Sequence, residues 1–145
     1  MKNKKRVVKN VLIVVVAIVV IAVLFVLFVP KQAGFFYNND TQKIERIMMM
    51  NGNNGQRLYA DEDECKLIED YLSSCTFTPN YLKQRACGWS YRFIIESDGK
   101  TTDFVFVGDN CSIDGVDYKC QTTSETSLKE IWELLKEAHS DEALE

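Results

Sequence analysis

Nineteen consecutive residues, Val11 to Val29, contain no charge, no polar side chain, no glycine and no proline, and they follow the basic run Lys2, Lys4, Lys5, Arg6, Lys9. As a helix rising ~1.5 Å per residue, the stretch reaches roughly 28 Å, close to the hydrocarbon thickness of a bilayer. It reads as a transmembrane helix over 11–29, behind a cytoplasmic basic segment over 1–10. A removable signal peptide is the competing reading, since it also pairs positive charge with an apolar run. The exit Val29, Pro30, Lys31, Gln32, Ala33, Gly34 argues against it. Cleavage after Ala33 would put Lys31 where a small uncharged residue is required. No cysteine follows the run to accept a lipid. The expectation is an uncleaved signal-anchor.

Flanking charge sets the orientation, because Lys and Arg are retained on the cytoplasmic side. Five basic residues precede the span and only Lys31 lies close behind it. The N-terminus is expected inside and the remainder outside, in a plasma membrane crossed once. The span has no Gly-x-x-x-Gly face for a close helix dimer and no ionisable group for a proton or ion path.

All 21 acidic residues but only 12 of the 17 Lys and Arg lie beyond the span, a net charge of −9 for that part. An acidic exterior argues against nucleic acid or an anionic membrane surface as a partner. The length suits one small domain. The expected organisation is a juxtamembrane linker over 30–42, an extracytoplasmic α+β domain over 43–139 and a C-terminal tail over 140–145.

Turns and caps mark the elements of that domain. Residues 43–50 read as a strand, and Asn51, Gly52, Asn53, Asn54, Gly55 supply a turn before a short strand through Tyr59. A helix over 41–50 is the rival, because Ile44, Ile47 and Met48 also fit helical spacing. Met48, Met49 and Met50 read as core filler rather than metal ligands. Asp61 with Glu64 forms a capping box for a helix near 62–74, whose apolar positions include Cys65, Ile68, Leu72 and Cys75. The acidic cluster Asp61 to Glu64 lacks the spacing of a calcium loop, and its carboxylates suit the helix dipole.

Asp98-Gly99 is suited to a two-residue type I′ turn, and it fixes a register. Ser97 should face Lys100, Ile95 Thr102, Phe93 Phe104 and Tyr91 Phe106 on one side. On the other side Arg92 should face Val105, Ile94 Asp103 and Glu96 Thr101. Asp114-Gly115 predicts a second hairpin, with Ile113 opposite Val116 and Cys111 opposite Tyr118. Ser127 with Glu130 caps a helix near 127–139 whose stripe is Leu128, Ile131, Trp132, Leu135 and Ala138. Two helices on one face of an antiparallel sheet of five or six strands follow.

Five cysteines outside the membrane favour disulfides, and an odd number leaves at least one unpaired. Cys65 and Cys75 stand too far apart along one helix to bond. Cys75 with Cys87 and Cys111 with Cys120 are the candidate pairs, the second needing a bulge or shift because its members are diagonal neighbours.

The inventory for chemistry is thin. His139, the only histidine, sits at a helix end where the dipole suits it. No Cys-x-x-Cys spacing, Gly-rich phosphate loop or nucleophile elbow is present. No catalytic residue, metal ligand or cofactor is expected. The candidate recognition residues are Trp89, in Gly88-Trp89-Ser90-Tyr91, and Ile94, Val105 and Val107, which share the sheet face opposite the aromatics. Core packing is the bland alternative for Trp89.

The Gly-containing first hairpin, the acidic helix start at Asp61 to Glu64, the run GWSYRF over 88–93, the Asp98-Gly99 turn and the Asp114-Gly115 hairpin before a final helix cover most of residues 43–139. In that order they resemble small membrane-anchored extracytoplasmic domains of uncharacterised function from Gram-positive bacteria. The resemblance implies placement at a bacterial surface and brings no active site. The expected function is a non-enzymatic module binding a protein or cell-envelope component. A small envelope hydrolase using carboxylates and an accessory subunit of a larger membrane complex are the alternatives.

Overall fold

A computed structural model describes residues 2–37, 44–81 and 88–140, with side chains from residue 6 onward. Helix α1 (Lys2–Phe28) contains the apolar run, and its part from Arg6 to Phe28 is 23 residues long and apolar enough to cross a membrane. Its side chains are exposed rather than packed into the remainder of the chain.

The remainder is α+β, with a single antiparallel sheet of eight strands among the described residues rather than five or six. In chain order these are β1 (Lys31–Gln32), β2 (Ile44–Asn51), β3 (Arg57–Tyr59), β4 (Cys75–Pro79), β5 (Tyr91–Ser97), β6 (Lys100–Val107), β7 (Asn110–Ile113) and β8 (Val116–Thr122). Helix α2 (Glu62–Ser74) lies between β3 and β4, and α3 (Leu128–Ala138) follows β8. The spatial order is β1-β4-β8-β7-β6-β5-β2-β3. Strands β5 to β8 form a meander, the β2–β3 hairpin joins beside β5, and β4 joins beside β8. The α2 connection therefore carries the chain from one side of the meander to the other.

The two additional strands are β1 and β4. Cys75 continues the helical spacing of Ile68 and Leu72, which hides the end of α2 in the sequence. In the structure Cys75 is the extended C-cap residue (ψ 141°) and opens β4. Lys31 and Gln32, expected in a linker, pair with Phe77 and Thr76. A 3-10 turn over Ala33–Phe35 follows, and Ala33 and Tyr37 are buried. Phe36 meets Phe77 and Tyr118 edge-on at centroid distances of 5.6 and 5.2 Å. Aromatic area, rather than secondary-structure propensity, holds this segment to the sheet.

Turn chemistry sets the meander. Asp98 and Gly99 take φ of 51° and 69°, and Asp114 and Gly115 take 49° and 82°, the left-handed pair that a type I′ turn requires. Every cross-strand pair expected from these turns is present, including Phe93 with Phe104, Arg92 with Val105, Ile94 with Asp103 and Cys111 with Tyr118. The described part of that segment, from Ile44, forms strand rather than helix, and pairs with β5 over most of its length. Both capping boxes form, at Asp61 with Glu64 and at Ser127 with Glu130.

The core lies between the helices and one sheet face. Phe77, Phe93, Phe104 and Phe106 meet Ile68 and Leu72 of α2 and Ile131, Trp132 and Leu135 of α3 in one cluster. Tyr71 reaches Phe106 and Trp132 reaches Tyr91. Met49 is core filler as expected. Each fully buried large side chain contributes about 1.5–3 kcal/mol.

Candidate interaction surface

The sheet face turned away from α2 and α3 is built by the alternate residues of each strand. Across its middle run Tyr59, Met48, Ile94 and Asp103 in one row, and Arg57, Met50, Arg92, Val105 and Ser112 in the next. Val107 pairs with Asn110 one step along. Ile94, Val105 and Val107 are half-buried on this face. Met48 is half-buried too, and Met50 is buried.

Two forked ion pairs share that face. Arg92 donates from Nε and Nη2 to the two carboxylate oxygens of Asp103, both at 2.8 Å. Arg46 donates to Glu96 at 2.8 and 3.2 Å, and its guanidinium lies 5.1 Å from the Tyr59 ring centroid. Hydrogen bonds to the carboxylates, with their charge, raise both arginines above the usual guanidinium value. The forks fix the orientation of four charges on the face that carries these apolar side chains. The Arg92–Asp103 contact was accessible from the Asp98-Gly99 register, which makes them diagonal neighbours. The Arg46–Glu96 contact depends on β2 joining β5, and no local turn announces that pairing.

Trp89 is half-buried, between the exposed and core readings. It sits over the β2–β3 turn, where the Gly52 amide donates to the Ser90 carbonyl at 2.8 Å. Beside it, Tyr91, Phe106, Gly108, Thr122 and Leu128 line a shallow cleft between the sheet and the start of α3.

The titratable groups fall into structural roles. His139 Nε2 lies 3.0 Å from Glu64 Oε2, joining the end of α3 to the start of α2. Burial, then the charge of Asp70, holds Glu69 above the ordinary carboxylate range. Hydrogen bonds within the cap hold Glu130 below it. No group of three or more His, Cys, Asp or Glu side chains able to hold a metal ion occurs among the described residues.

Cys65, Cys75, Cys111 and Cys120 are free thiols in the structure, so Cys111 and Cys120 are not bonded to each other. Cys87, the expected partner of Cys75, lies outside the described residues. Burial pushes the Cys65 thiol up to about 11, and burial raises Cys111 as well. Cys75 is the exception: a hydrogen bond from Cys120 lowers it against the opposing effect of burial.

No protein-family model, curated protein or solved structure matches the chain. The resemblance to Gram-positive surface domains therefore gains no support from these comparisons, and function has to be argued from the surface itself.

Proposed function

We propose that the chain is a single-pass membrane protein, N-terminus inside, whose outer domain binds a protein partner without catalysis through the sheet face around Ile94, Val105 and Val107. The observation that carries this reading is the one-sided packing of the sheet. Both helices serve one core, while the opposite face presents half-buried apolar side chains interspersed with the Arg46–Glu96 and Arg92–Asp103 forks. Apolar area supplies affinity on such a face, and the fixed charges among it supply orientation. A protein partner matches this combination better than a carbohydrate polymer, for which a groove of exposed aromatics would be the expected surface.

A photoreactive side chain at position 94 or 105, introduced into the full-length protein in intact cells, tests the face directly. The expected result is one recurrent protein adduct that is lost when Arg92→Ala or Asp103→Ala is added. The same probe at Leu134, 50% exposed on the outer side of α3, should give no such adduct. Equal labelling from both positions, or only unassociated monomer, would overturn the reading.

A further inference from the structure

We propose that Cys75 and Cys120 form a reversible disulfide tying β4 to β8. In the β4–β8 ladder Cys75 pairs with Thr122 and Phe77 pairs with Cys120, so the two cysteines are diagonal neighbours. The Thr123 amide bonds the Ser74 carbonyl and the Asn80 amide bonds the Asp117 carbonyl. By alternation, the pairs that contain Cys75 and Cys120 are the non-hydrogen-bonded kind, in which facing side chains approach most closely. Both cysteines share the core face with Phe77 and Tyr118. The electrostatic interaction of the two thiols, which favours the thiolate at Cys75 and disfavours it at Cys120, accords with that placement.

The rival pair is less well placed. Cys111 faces Tyr118, and the Cys120 amide bonds the Asp109 carbonyl, so this stretch of the β7–β8 ladder has the opposite phase. There Cys111 and Cys120 are diagonal across the wider, hydrogen-bonded pairs. Cys65 is separate from this cluster, donating to the Ala60 carbonyl at 3.6 Å.

Diagonal Cα atoms lie about 7–8 Å apart, just beyond the usual disulfide span, so closure needs β4 to slide along β8 by ~1 Å. Strand β4 can make that movement, because its outer neighbour is the two-residue β1. A bond closed at this limit is also readily reduced. Cys120 is half-buried where Cys75 is buried, so it is the sulfur that an external reagent meets first. The oxidant is a disulfide, either a small molecule or a thiol–disulfide oxidoreductase in its oxidised form. Cys120, which the neighbouring Cys75 sulfur holds in the thiol form, hands its proton to the Cys75 thiolate as it attacks one sulfur of the oxidant, forming a mixed disulfide and expelling the first thiolate. Cys75 then gives up its proton and attacks the Cys120 sulfur, expelling the second. Two protein thiols and one external disulfide become one protein disulfide and two external thiols.

The consequence falls at the junction with α1. Strand β4 pairs with β1 directly behind α1, and the Tyr81 hydroxyl just past β4 donates to the Leu27 carbonyl at 2.6 Å. Oxidation therefore fastens the strand through which the domain meets the apolar helix.

The test is a redox titration of the purified full-length protein in detergent with reduced and oxidised glutathione, followed by alkylation and peptide mapping. A linked peptide carrying Cys75 and Cys120 should appear in one two-electron step, with two fewer alkylated cysteines. Oxidation should raise Tm by about 10 °C. Cys111→Ala should retain the linkage, and Cys75→Ser or Cys120→Ser should abolish it. Linkage of Cys75 to Cys87, linkage of Cys111 to Cys120, glutathione adducts alone, or full alkylation throughout would each overturn the proposal. The mapping uses isolated protein, so its outcome is independent of membrane orientation and of the proposed partner.

Discussion

A Cβ atom built on Gly52 would stand 1.8 Å from the Trp89 carbonyl oxygen and 2.9 Å from Cε3 of its ring. Backbone on one side and an indole on the other leave nothing flexible to yield. Gly52→Ala should therefore destabilise the domain by about 2–3 kcal/mol, the cost typical of forced overpacking, measured as a fall in the denaturation midpoint. Gly55→Ala is the informative contrast, because there the penalty is backbone conformation (φ 71°) in open space. Glu69 gives a residue-scale prediction in pH. Its carboxyl is held above the ordinary range by burial and then by Asp70, so the folded state binds the proton more tightly than the unfolded state. Its contribution to stability is greatest at low pH and declines as pH rises from about 4.3, the ordinary Glu value, through the raised native one. In Glu69→Gln, the Tm profile between pH 4 and 7 should lose that decline. Profiles that stay parallel would show that the carboxyl is fully compensated in the fold.

Elements whose ends carry local chemistry were legible in the sequence, and those defined by remote pairing were not. Asp98-Gly99 and Asp114-Gly115 fix the register of β5 to β8 because two left-handed residues admit one hairpin geometry. Asp61 and Ser127 mark the helix starts because an orphan amide needs an acceptor there. Strands β1 and β4 have no such mark, since β1 is two residues held by the ring of Phe36 and β4 begins on a cysteine that fits the preceding helix. The interaction face divides in the same way. Ile94, Val105, Arg92 and Asp103 follow from one turn, whereas Met48, Arg46 and Tyr59 arrive through the β2–β5 pairing. The capping boxes can be tested as elements. Ser127→Ala removes the acceptor of the Glu130 amide and should cost about 1 kcal/mol, a fall in Tm of about 4–8 °C for a domain of this size. Glu130, held below its ordinary range by the same cap, contributes stability above its unfolded value that is lost as pH falls through the native one. Ser127→Ala keeps the backbone amide of residue 127, the larger cause, and removes the hydroxyl, so it should also partly flatten the acid limb of the Tm profile below about pH 4.3, a window distinct from that of Glu69.

At the scale of the whole molecule, charge and apolar length divide the chain into two parts with opposite solvent preferences. Helix α1 exposes its valines and isoleucines along its whole length, an arrangement stable in hydrocarbon and costly in water. The remainder pairs Arg46 and Arg92 on the sheet face and closes its core around aromatic rings. The link between the parts is short, because β1 starts three residues after α1 and Tyr81 bonds back to Leu27. A domain held this closely would meet partners near the membrane surface, and the side it faces is decided by the basic residues ahead of the span. The proposed orientation predicts that protease added to intact cells digests a tag placed after Glu145 and spares one placed before Met1. Replacing Lys2, Lys4, Lys5, Arg6 and Lys9 with Gln should weaken that bias and leave a protected C-terminal fraction, because Lys31 would then be the only basic residue close to the span. Protection of the C-terminal tag in the unaltered protein would place the acidic domain inside. The partner search would then move to the cytoplasm, while the Cys75–Cys120 pairing in isolated protein would stand on its own geometry.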